Sequence, residues 1–261
     1  MKYGYDAASD LVGKSDARPN GQGELVKVTY GYDELNRVLT RSYNDSPQTP
    51  TVTYSYDTAT RGVGRLASVV TNGLSTSNYT TYDALGRLVS YNQQTANQTY
   101  AMTCQYNVAG MMTTEGYPSG KVVQTDYDTA GRIAGVKKQG SSYYVGALPT
   151  DAVNRLQYTP HQEIKAMKLG NTLWEHTDFN SRLQSTLIGL GTSGSDTSKL
   201  KLEYHYGTTA NNGNLLTQKI TVPTTGGGTL LLSQSYTYDS LNRLLTAQEK
   251  EEIERLVNYH I

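Results

Sequence analysis

Along most of the chain, short stretches of alternating polar and apolar residues are separated by clusters of Gly, Asn, Ser and Pro. Residues 24–32 and 51–56 show the alternation clearly, with Tyr54 and Tyr56 two positions apart. Because successive side chains of a strand point to opposite faces, these two tyrosines are expected on one face of a sheet. The pattern predicts an all-β protein built from antiparallel hairpins.

One short motif recurs between these stretches, most clearly as Tyr-Asp-Ala-Leu-Gly-Arg-Leu at residues 82–88. The side-chain oxygen of Asp83 can accept a hydrogen bond from the backbone two residues on, which starts a turn. Gly86 can then adopt the left-handed conformation that completes a bulged hairpin loop. The motif therefore predicts that the position of Gly86 holds only residues that tolerate a positive φ.

Aligned copies of the motif agree with this prediction, since the position of Gly86 is Gly or Asn in every copy except one. It holds Asn36, Gly64, Gly86, Gly110, Gly131, Asn154, Ser181, Gly213 and Asn242. The tyrosine position holds Tyr32, Tyr56, Tyr82, Tyr106, Tyr127, Thr150, Thr177, Tyr206 and Tyr238. Copies recur about every 20 to 30 residues, a spacing typical of repeat architectures. A degenerate further start lies at Tyr5 and Asp6.

The motif assigns structural turn roles to an acidic residue and to the left-handed residue three positions later. The residues expected in these roles are Asp33, Asn36, Asp83, Gly86, Asp128, Gly131, Asp239 and Asn242. An array of aspartates can also suggest an acidic site. Each of these aspartates, however, has a local duty as turn initiator.

This repeat resembles that of the YD-repeat or Rhs family, which includes bacterial Rhs proteins, shell proteins of insecticidal toxin complexes, and teneurins. The resemblance covers residues 3–246. It implies hairpins laid side by side in a curved or spiralling sheet, or a barrel-like shell, around a hollow that can hold a toxic C-terminal domain. It also implies a parent protein that is exported or on the cell surface, although no signal peptide follows Met1 and the location of this chain stays open. The motif that ends the shell of full Rhs proteins is absent here, so self-processing and toxin activity are not expected.

After residue 247 the repeat stops, and residues 248–261 contain neither Gly nor Pro. Ile253, Leu256, Val257 and Ile261 stand at helical spacing, and acidic residues crowd the start. This pattern predicts a short amphipathic helix that needs a surface to cover. The predicted organisation is a YD-repeat segment at residues 1–247 and a C-terminal helix or tail at 248–261, with an engineered or frayed tail as the alternative.

Composition narrows the range of functions. Lys plus Arg and Asp plus Glu number 23 each, so no net field favours nucleic acid or an anionic membrane. No stretch approaches the roughly 20 apolar residues of a membrane span. The chain has 22 Tyr but one Phe and one Trp, which favours sheet faces that are partly exposed to water over a fully apolar core. Cys104 is the single cysteine and is expected to be a small apolar strand residue.

Motifs for chemistry are largely missing. The histidines His161, His176, His205 and His260 show no metal-ligand spacing, and no phosphate loop or nucleophile elbow occurs. We therefore predict no catalytic residue, no metal and no cofactor. If a catalytic group is assembled in three dimensions, His161, Glu163 and Asp178 are the first residues to examine.

Three functions remain open at this point. The first is a structural shell module that encloses protein cargo or contacts neighbouring shell segments. The second is a glycan-binding module, and the third is a cryptic hydrolase on the same scaffold. The glycan-binding module would use as its ligand surface the tyrosines Tyr30, Tyr32, Tyr54, Tyr56, Tyr204, Tyr206, Tyr236 and Tyr238. The raw edges of a strand array also predict a homodimer formed through strand edges.

Overall fold

The computed structural model describes residues 1–252, and every regular element in that range is a β-strand. The strands are β1 (Lys2–Tyr5), β2 (Leu11–Pro19), β3 (Leu25–Tyr32), β4 (Val38–Tyr43), β5 (Val52–Tyr56), β6 (Leu66–Thr71), β7 (Ser75–Tyr82), β8 (Leu88–Thr95), β9 (Gln98–Tyr106), β10 (Met112–Gly116), β11 (Val122–Tyr127), β12 (Ile133–Lys138), β13 (Tyr143–Gly146), β14 (Gln157–Tyr158), β15 (Ile164–Lys168), β16 (Trp174–Phe179), β17 (Ser185–Gly191), β18 (Leu200–His205), β19 (Thr217–Pro223), β20 (Thr229–Tyr238) and β21 (Leu244–Glu252).

The strands form two antiparallel sheets of 13 and 8 strands, and in each sheet the strand order follows the chain. The predicted antiparallel hairpin array is confirmed. By its internal contacts the chain divides into two units, Met1–Val122 and Val123–Ile261. In the second unit the eight-stranded sheet runs linearly from β14 to β21, so its described strands do not form the barrel-like alternative.

The hairpins of the repeat contain a bulge at the end of the strand that enters the turn. The register shifts by one residue between Gly31 and Tyr32, between Ser55 and Tyr56, and between Thr237 and Tyr238. A turn that contains one left-handed residue adds an extra residue to the loop, and the adjoining strand takes it up as a bulge. The bulge turns each tyrosine of the repeat relative to the strand before it.

Few side chains are fully buried. The buried apolar residues are Val26, Val28, Val52, Ala67, Tyr82, Cys104, Ala134, Leu156, Ala166 and Trp174. Most other strand residues are half-buried, as expected of sheet faces rich in tyrosine and threonine. Cys104 lies buried in β9, and burial raises the pKa of its thiol, so the protonated form prevails at neutral pH.

Two sequence-based expectations need correction. Residues 7–22 look like a long loop because they are rich in Asp, Gly, Ser and Pro, yet residues Leu11–Pro19 form β2. Pairing with β1 and β3 on either side compensates for the weak local strand propensity. The predicted C-terminal helix is also wrong for residues 248–252, which belong to strand β21 and pair with β20. The remainder of that prediction, at 253–261, lies outside the described residues.

Candidate functional site

The recurring structural feature of the chain is its turn, which is seen clearly at residues 83–87. The backbone N–H of Asp83 donates to the carbonyl of Arg87 at 2.9 Å, and the N–H of Gly86 donates to the carbonyl of Asp83 at 2.9 Å. Gly86 has a φ of 77°. Oδ1 of Asp83 accepts hydrogen bonds from the backbone N–H groups of Leu85 and Arg87, each at 2.9 Å. The aspartate thus satisfies two loop donors that have no strand partner.

The other candidate turn residues lie in the same arrangement. Asn36, Gly131 and Asn242 have φ values of 58°, 78° and 60°. Turns with the same two backbone hydrogen bonds and a left-handed fourth residue lie at 6–10, 20–24, 33–37, 83–87, 107–111, 117–121, 128–132, 159–163, 169–173, 180–184, 224–228 and 239–243. The set includes return turns between repeats, where Asn20 takes the place of the aspartate.

In four of the copies that retain arginine, the aspartate also binds the arginine side chain of the same turn. The second carboxylate oxygen accepts from the arginine Nε at 2.7 Å in Asp33–Arg37, at 2.6 Å in Asp83–Arg87 and at 2.6 Å in Asp239–Arg243. Hydrogen bonds from the backbone N–H of each arginine hold the pKa of these carboxyls below the usual range. The carboxylates are therefore ionised at neutral pH, as needed to orient the guanidinium.

The same turn is found at Asp128 and Arg132, where the carboxylate is buried. Burial raises the pKa of Asp128, but the hydrogen bonds from Arg132 and from the backbone of Ala130 outweigh it and leave the pKa below its ordinary value. The Nε of Arg132 lies 3.0 Å from the carboxylate. All four predicted aspartates are thus occupied by local contacts.

In seven hairpins, the tyrosine that precedes the turn joins the hairpin to the one before it. The tyrosine hydroxyl donates to the carbonyl of the first residue after the turn of that preceding hairpin. The pairs are Tyr32 to Leu11 at 2.8 Å, Tyr56 to Val38 at 2.8 Å, Tyr82 to Leu66 at 2.7 Å, Tyr106 to Leu88 at 3.0 Å, Tyr158 to Ile133 at 2.8 Å, Tyr206 to Ser185 at 3.1 Å and Tyr238 to Leu215 at 2.8 Å. We call this contact the tyrosine lock.

Where the preceding hairpin carries an arginine, its guanidinium covers the ring of the tyrosine that makes the lock. The carbon of the guanidinium lies 4.4 Å from the ring centre in Arg37–Tyr56, 5.5 Å in Arg65–Tyr82, 4.6 Å in Arg87–Tyr106 and 4.7 Å in Arg132–Tyr158. These distances are within the range of a cation–π interaction. Burial raises the pKa of these tyrosines, so each hydroxyl stays protonated and able to donate.

Two aligned copies differ from the sequence prediction. The expected left-handed residue Asn154 has no positive φ, and the backbone N–H of Arg155 donates to the carbonyl of Asp151 at 3.1 Å instead.

The second is the copy at residues 177–181. The turn expected at Thr177, Asp178 and Ser181 is shifted by two residues: Phe179 takes the tyrosine position, and Leu183 is left-handed with a φ of 62°. Leucine carries no sequence signal for a positive φ, so spacing alone could not place this turn.

A further copy, missed in the sequence, lies at Tyr158, Thr159 and Gln162, where Gln162 has a φ of 75°. Threonine replaces the aspartate, and its hydroxyl accepts from the backbone N–H of Glu163 at 3.1 Å. The signal that could have found this copy is Tyr158 itself, followed by a residue with a short side-chain oxygen.

The tyrosines of the candidate ligand surface are mostly committed to the fold. Tyr32, Tyr56, Tyr206 and Tyr238 make the lock described above. The hydroxyl of Tyr236 donates to the side chain of Gln234 at 2.6 Å. The remaining three tyrosines, all half-buried, are Tyr30, Tyr54 and Tyr204.

The residues of the candidate catalytic trio are not brought together as a catalytic group. The ring of His161 packs edge-on against Phe179, with ring centres 5.1 Å apart. Glu163 and Asp178 are exposed, and none of the hydrogen bonds found among residues 1–252 joins the three. The arrangement fits a packed turn residue and two surface carboxylates.

The first unit contains an open cavity of about 650 Å³ between the turns near Gly73 and Ala96. Polar side chains such as Thr71, Gln94 and Thr99 line it, and no lining residue is titratable. Within the described part of the chain, no group of three or more His, Cys, Asp or Glu side chains could hold a metal ion. Nor do residues 1–252 contain a helix long and apolar enough to cross a membrane.

Solved structures of toxin complexes resemble the chain. A structure of TcdB2–TccC3 superimposes with a TM-score of 0.71 at 16% identity, over 94% of this chain and 14% of the matched chain. TcdB2–TccC3 with Cdc42 gives 0.70 at 15% identity, over 94% and 14%. The Tc holotoxin pore of Photorhabdus luminescens gives 0.63 at 13% identity, over 95% of this chain and 16% of the matched chain. No protein-family model matches, and no curated protein matches significantly.

At these identities, the comparison establishes similarity of fold alone. The matched structures are toxin-complex chains, the group to which the repeat motif pointed. The chain spans only 14 to 16% of the length of the chains that it matches. The YD-repeat resemblance is confirmed at the level of the fold: this chain has the β-hairpin fold of toxin-complex shell chains of the Rhs or YD-repeat type.

Proposed function

We propose that this chain is a structural segment of a YD-repeat shell, which walls off protein cargo or contacts neighbouring shell segments and performs no catalysis itself. The observation that carries the proposal is the tyrosine lock, which ties seven hairpins to the hairpin before them. The Asp and Gly of the repeat form the turns, and its Tyr and Arg contact the neighbouring hairpin. The similar solved structures are complexes of toxin chains, in keeping with protein partners.

A graft tests the enclosing role. Residues 1–252 replace the aligned segment of a TccC3-type shell, and the polypeptide held inside is exposed to added protease. We expect the polypeptide to resist digestion as in the parent shell. A graft that carries Tyr82→Phe and Tyr106→Phe, which removes two lock hydroxyls, should protect it less. Rapid digestion in the unmodified graft, with strand content intact by circular dichroism, would contradict the proposal.

Glycan binding is the second candidate, and the contacts of the tyrosines reduce the number that could stack on a sugar. Rings that stack on sugars need a free face, whereas the ring of Tyr56 is covered by Arg37 at 4.4 Å. Tyr30, Tyr54 and Tyr204 lack such a guanidinium in the contacts of the described residues, and they are the positions at which to test the idea. Binding on a glycan array that is abolished by Tyr54→Ala would favour this candidate, and a blank array would remove it.

A further inference from the structure

Arg41 is a half-buried arginine without a polar partner among the contacts of residues 1–252. It lies in β4, which has strands on both sides, and so away from the edges of the sheet. Its guanidinium makes none of the hydrogen bonds or ion pairs found in that range, and its Nε is buried without an acceptor. In contrast, the half-buried Arg37, Arg87 and Arg132 each bind an aspartate. A partly buried cation without a counter-ion costs free energy, so this position favours the binding of an anion.

The sheet face around Arg41 carries a second cation and two tyrosines. Tyr30 pairs directly with Arg41, while Lys14 and Tyr43 lie on either side of Val28. Residues that pair directly share a face, and so do residues two positions apart on one strand. Four half-buried residues therefore form what we call the basic face: Lys14, Tyr30, Arg41 and Tyr43. The guanidinium carbon of Arg41 lies 5.7 Å from the ring centre of Tyr43, within the range of a cation–π interaction.

The carboxylates near the basic face do not neutralise it. Asp16, two positions after Lys14, accepts three hydrogen bonds from Arg18. Asp45, which follows β4, accepts from the hydroxyl of Thr49 at 2.9 Å. Among the described residues, neither aspartate forms an ion pair with Lys14 or Arg41, and no hydrogen bond reaches the two tyrosine hydroxyls. The basic face thus offers two positive charges and two hydroxyl donors to a partner from outside.

We infer that the basic face binds an extended acidic segment of a protein partner. One carboxylate of the segment binds the guanidinium of Arg41, and the hydroxyl of Tyr30 donates to the same group. Strands β2 and β4 lie about 10 Å apart, so a second carboxylate about three residues along an extended segment binds Lys14. Such charge-assisted hydrogen bonds are stronger in a half-buried site than in open water. The inference rests on the proposed function and deepens it, because it names the chemistry of the protein partner.

An acidic peptide fits the basic face better than a nucleic acid does. Binding to a phosphate backbone depends on several cations that follow the strand, and its affinity comes mainly from their number. The basic face has two cations, and Lys plus Arg equals Asp plus Glu over the whole chain, at 23 each. Two carboxylates suffice to match the two cations, so charge complementarity favours a short acidic segment.

Fluorescence anisotropy of the full chain with a labelled peptide measures the binding. In the peptide, Glu occupies every third position among Ser and Gly. We expect saturable binding that weakens as salt is added. Arg41→Gln should weaken it about tenfold and Lys14→Gln about fivefold, as expected for the loss of a charge-assisted hydrogen bond, and Arg41→Lys should weaken it less than Arg41→Gln. Lys27→Gln, which removes an exposed cation from the opposite face of the sheet, is the matched control and should have no effect.

Two further ligands test the chemistry of the partner. They are the same peptide with Gln in place of Glu, and single-stranded oligothymidine of equal charge, both of which should bind more weakly than the acidic peptide. A wild type that does not bind the acidic peptide, binding that Arg41→Gln or Lys14→Gln leaves unchanged, or an equal loss in Lys27→Gln would overturn the inference. Oligothymidine that binds as tightly as the acidic peptide would do so as well.

Folding of the variants is checked by urea unfolding. Because the guanidinium of Arg41 makes none of the described hydrogen bonds, Arg41→Gln should unfold at the same urea concentration as the wild type. The peptide assay measures a contact of the isolated chain, whereas the graft measures protection of an enclosed polypeptide. Failure of this inference and failure of the shell proposal are therefore distinguishable.

Discussion

A tyrosine of the lock uses the two halves of its side chain for different purposes. The ring of Tyr82 is buried against the preceding hairpin, and its hydroxyl donates to the carbonyl of Leu66 at 2.7 Å. Phenylalanine could fill the same space but would leave that carbonyl without this donor. This use of both the ring and the hydroxyl accounts for the seven tyrosines that make the lock, among the 22 Tyr of the chain.

Removing one lock hydroxyl should cost a measurable part of the stability. Tyr82→Phe is expected to lower the free energy of unfolding by about 1 kcal/mol, because the carbonyl of Leu66 loses a donor in a half-buried site. Urea unfolding monitored by circular dichroism measures the change. Tyr100→Phe, at a tyrosine that is 48% exposed, is the matched control in the same unit and should be close to neutral. Equal effects of the two variants would contradict the role of the lock.

Gly86 is required because there is no room for a Cβ at this position, as well as for its φ of 77°. A Cβ at Gly86 would overlap the guanidinium of Arg65, whereas a Cβ at Gly64, with a φ of 78°, would meet nothing within 4 Å. Gly86→Ala and Gly64→Ala should each cost about 1 kcal/mol from left-handed strain. Gly86→Ala should cost more, because Arg65 must leave the ring of Tyr82.

A third substitution tests whether Arg65 causes the difference in stability between the two alanine variants. In a background that carries Arg65→Ala, the extra cost of Gly86→Ala is expected to vanish, since no guanidinium remains to be displaced. Differences in the free energy of unfolding across this double-mutant cycle give the coupling. A coupling of zero would mean that Arg65 moves aside freely.

At the scale of the element, a turn that contains the Asp–Arg ion pair contributes to stability in a way that depends on pH. The carboxylate of Asp83 accepts from two backbone N–H groups and from Arg87, which lowers its pKa in the folded chain. The stability that it contributes is present above the pKa of about 3.9 of the unfolded chain, and it is lost as the pH falls through the folded value.

This sign gives a test with Asp83→Asn, which keeps an oxygen for the backbone but loses the charge. The wild type should be more stable than the variant at neutral pH, and the difference in the free energy of unfolding should shrink below about pH 4. Urea unfolding at pH 7, 5, 4 and 3 measures it. A difference that stays constant down to pH 3 would contradict the contribution of the carboxylate.

The turns with typical residues could be predicted from the sequence, and those with atypical residues could not. Where Tyr-Asp is followed by Gly or Asn, the local residues themselves favour the turn, because the side-chain oxygen of Asp and the tolerance of positive φ both act within five residues. Leu183 and Gln162 are held left-handed by the pairing of the strands around them, which local residues do not reveal. For the same reason, local composition predicts a loop where β2 pairs with β3 and a helix at residues 248–252, which pair with β20.

The lock itself could not be read from the sequence. Its hydroxyl joins residues of different hairpins, such as Tyr56 and Val38, and only the sheet brings them together. The sequence signalled that the tyrosines were unusual and suggested a ligand surface. The contacts assign four of the eight suggested tyrosines to the lock instead.

At the scale of the whole molecule, stability should behave as a sum of hairpins and of contacts between neighbours. Each lock joins a hairpin only to the one before it, as Tyr82 joins its hairpin to Leu66. In Tyr82→Phe we therefore expect faster amide hydrogen exchange in β6, β7 and β8, with β18–β20 unchanged. Hydrogen exchange read by mass spectrometry measures this. Acceleration spread evenly over both units would indicate a single cooperative block instead.

The repetition of the tyrosine lock has an evolutionary consequence. Because seven hairpins contact the hairpin before them through the same pair of positions, a gene segment that encodes one complete hairpin can be duplicated or deleted while the contacts on either side are kept. Loss of a single strand would instead reverse the direction of everything downstream. Proteins of this kind should therefore lengthen or shorten by whole hairpins, and the exons or recombination points of their genes should follow that module.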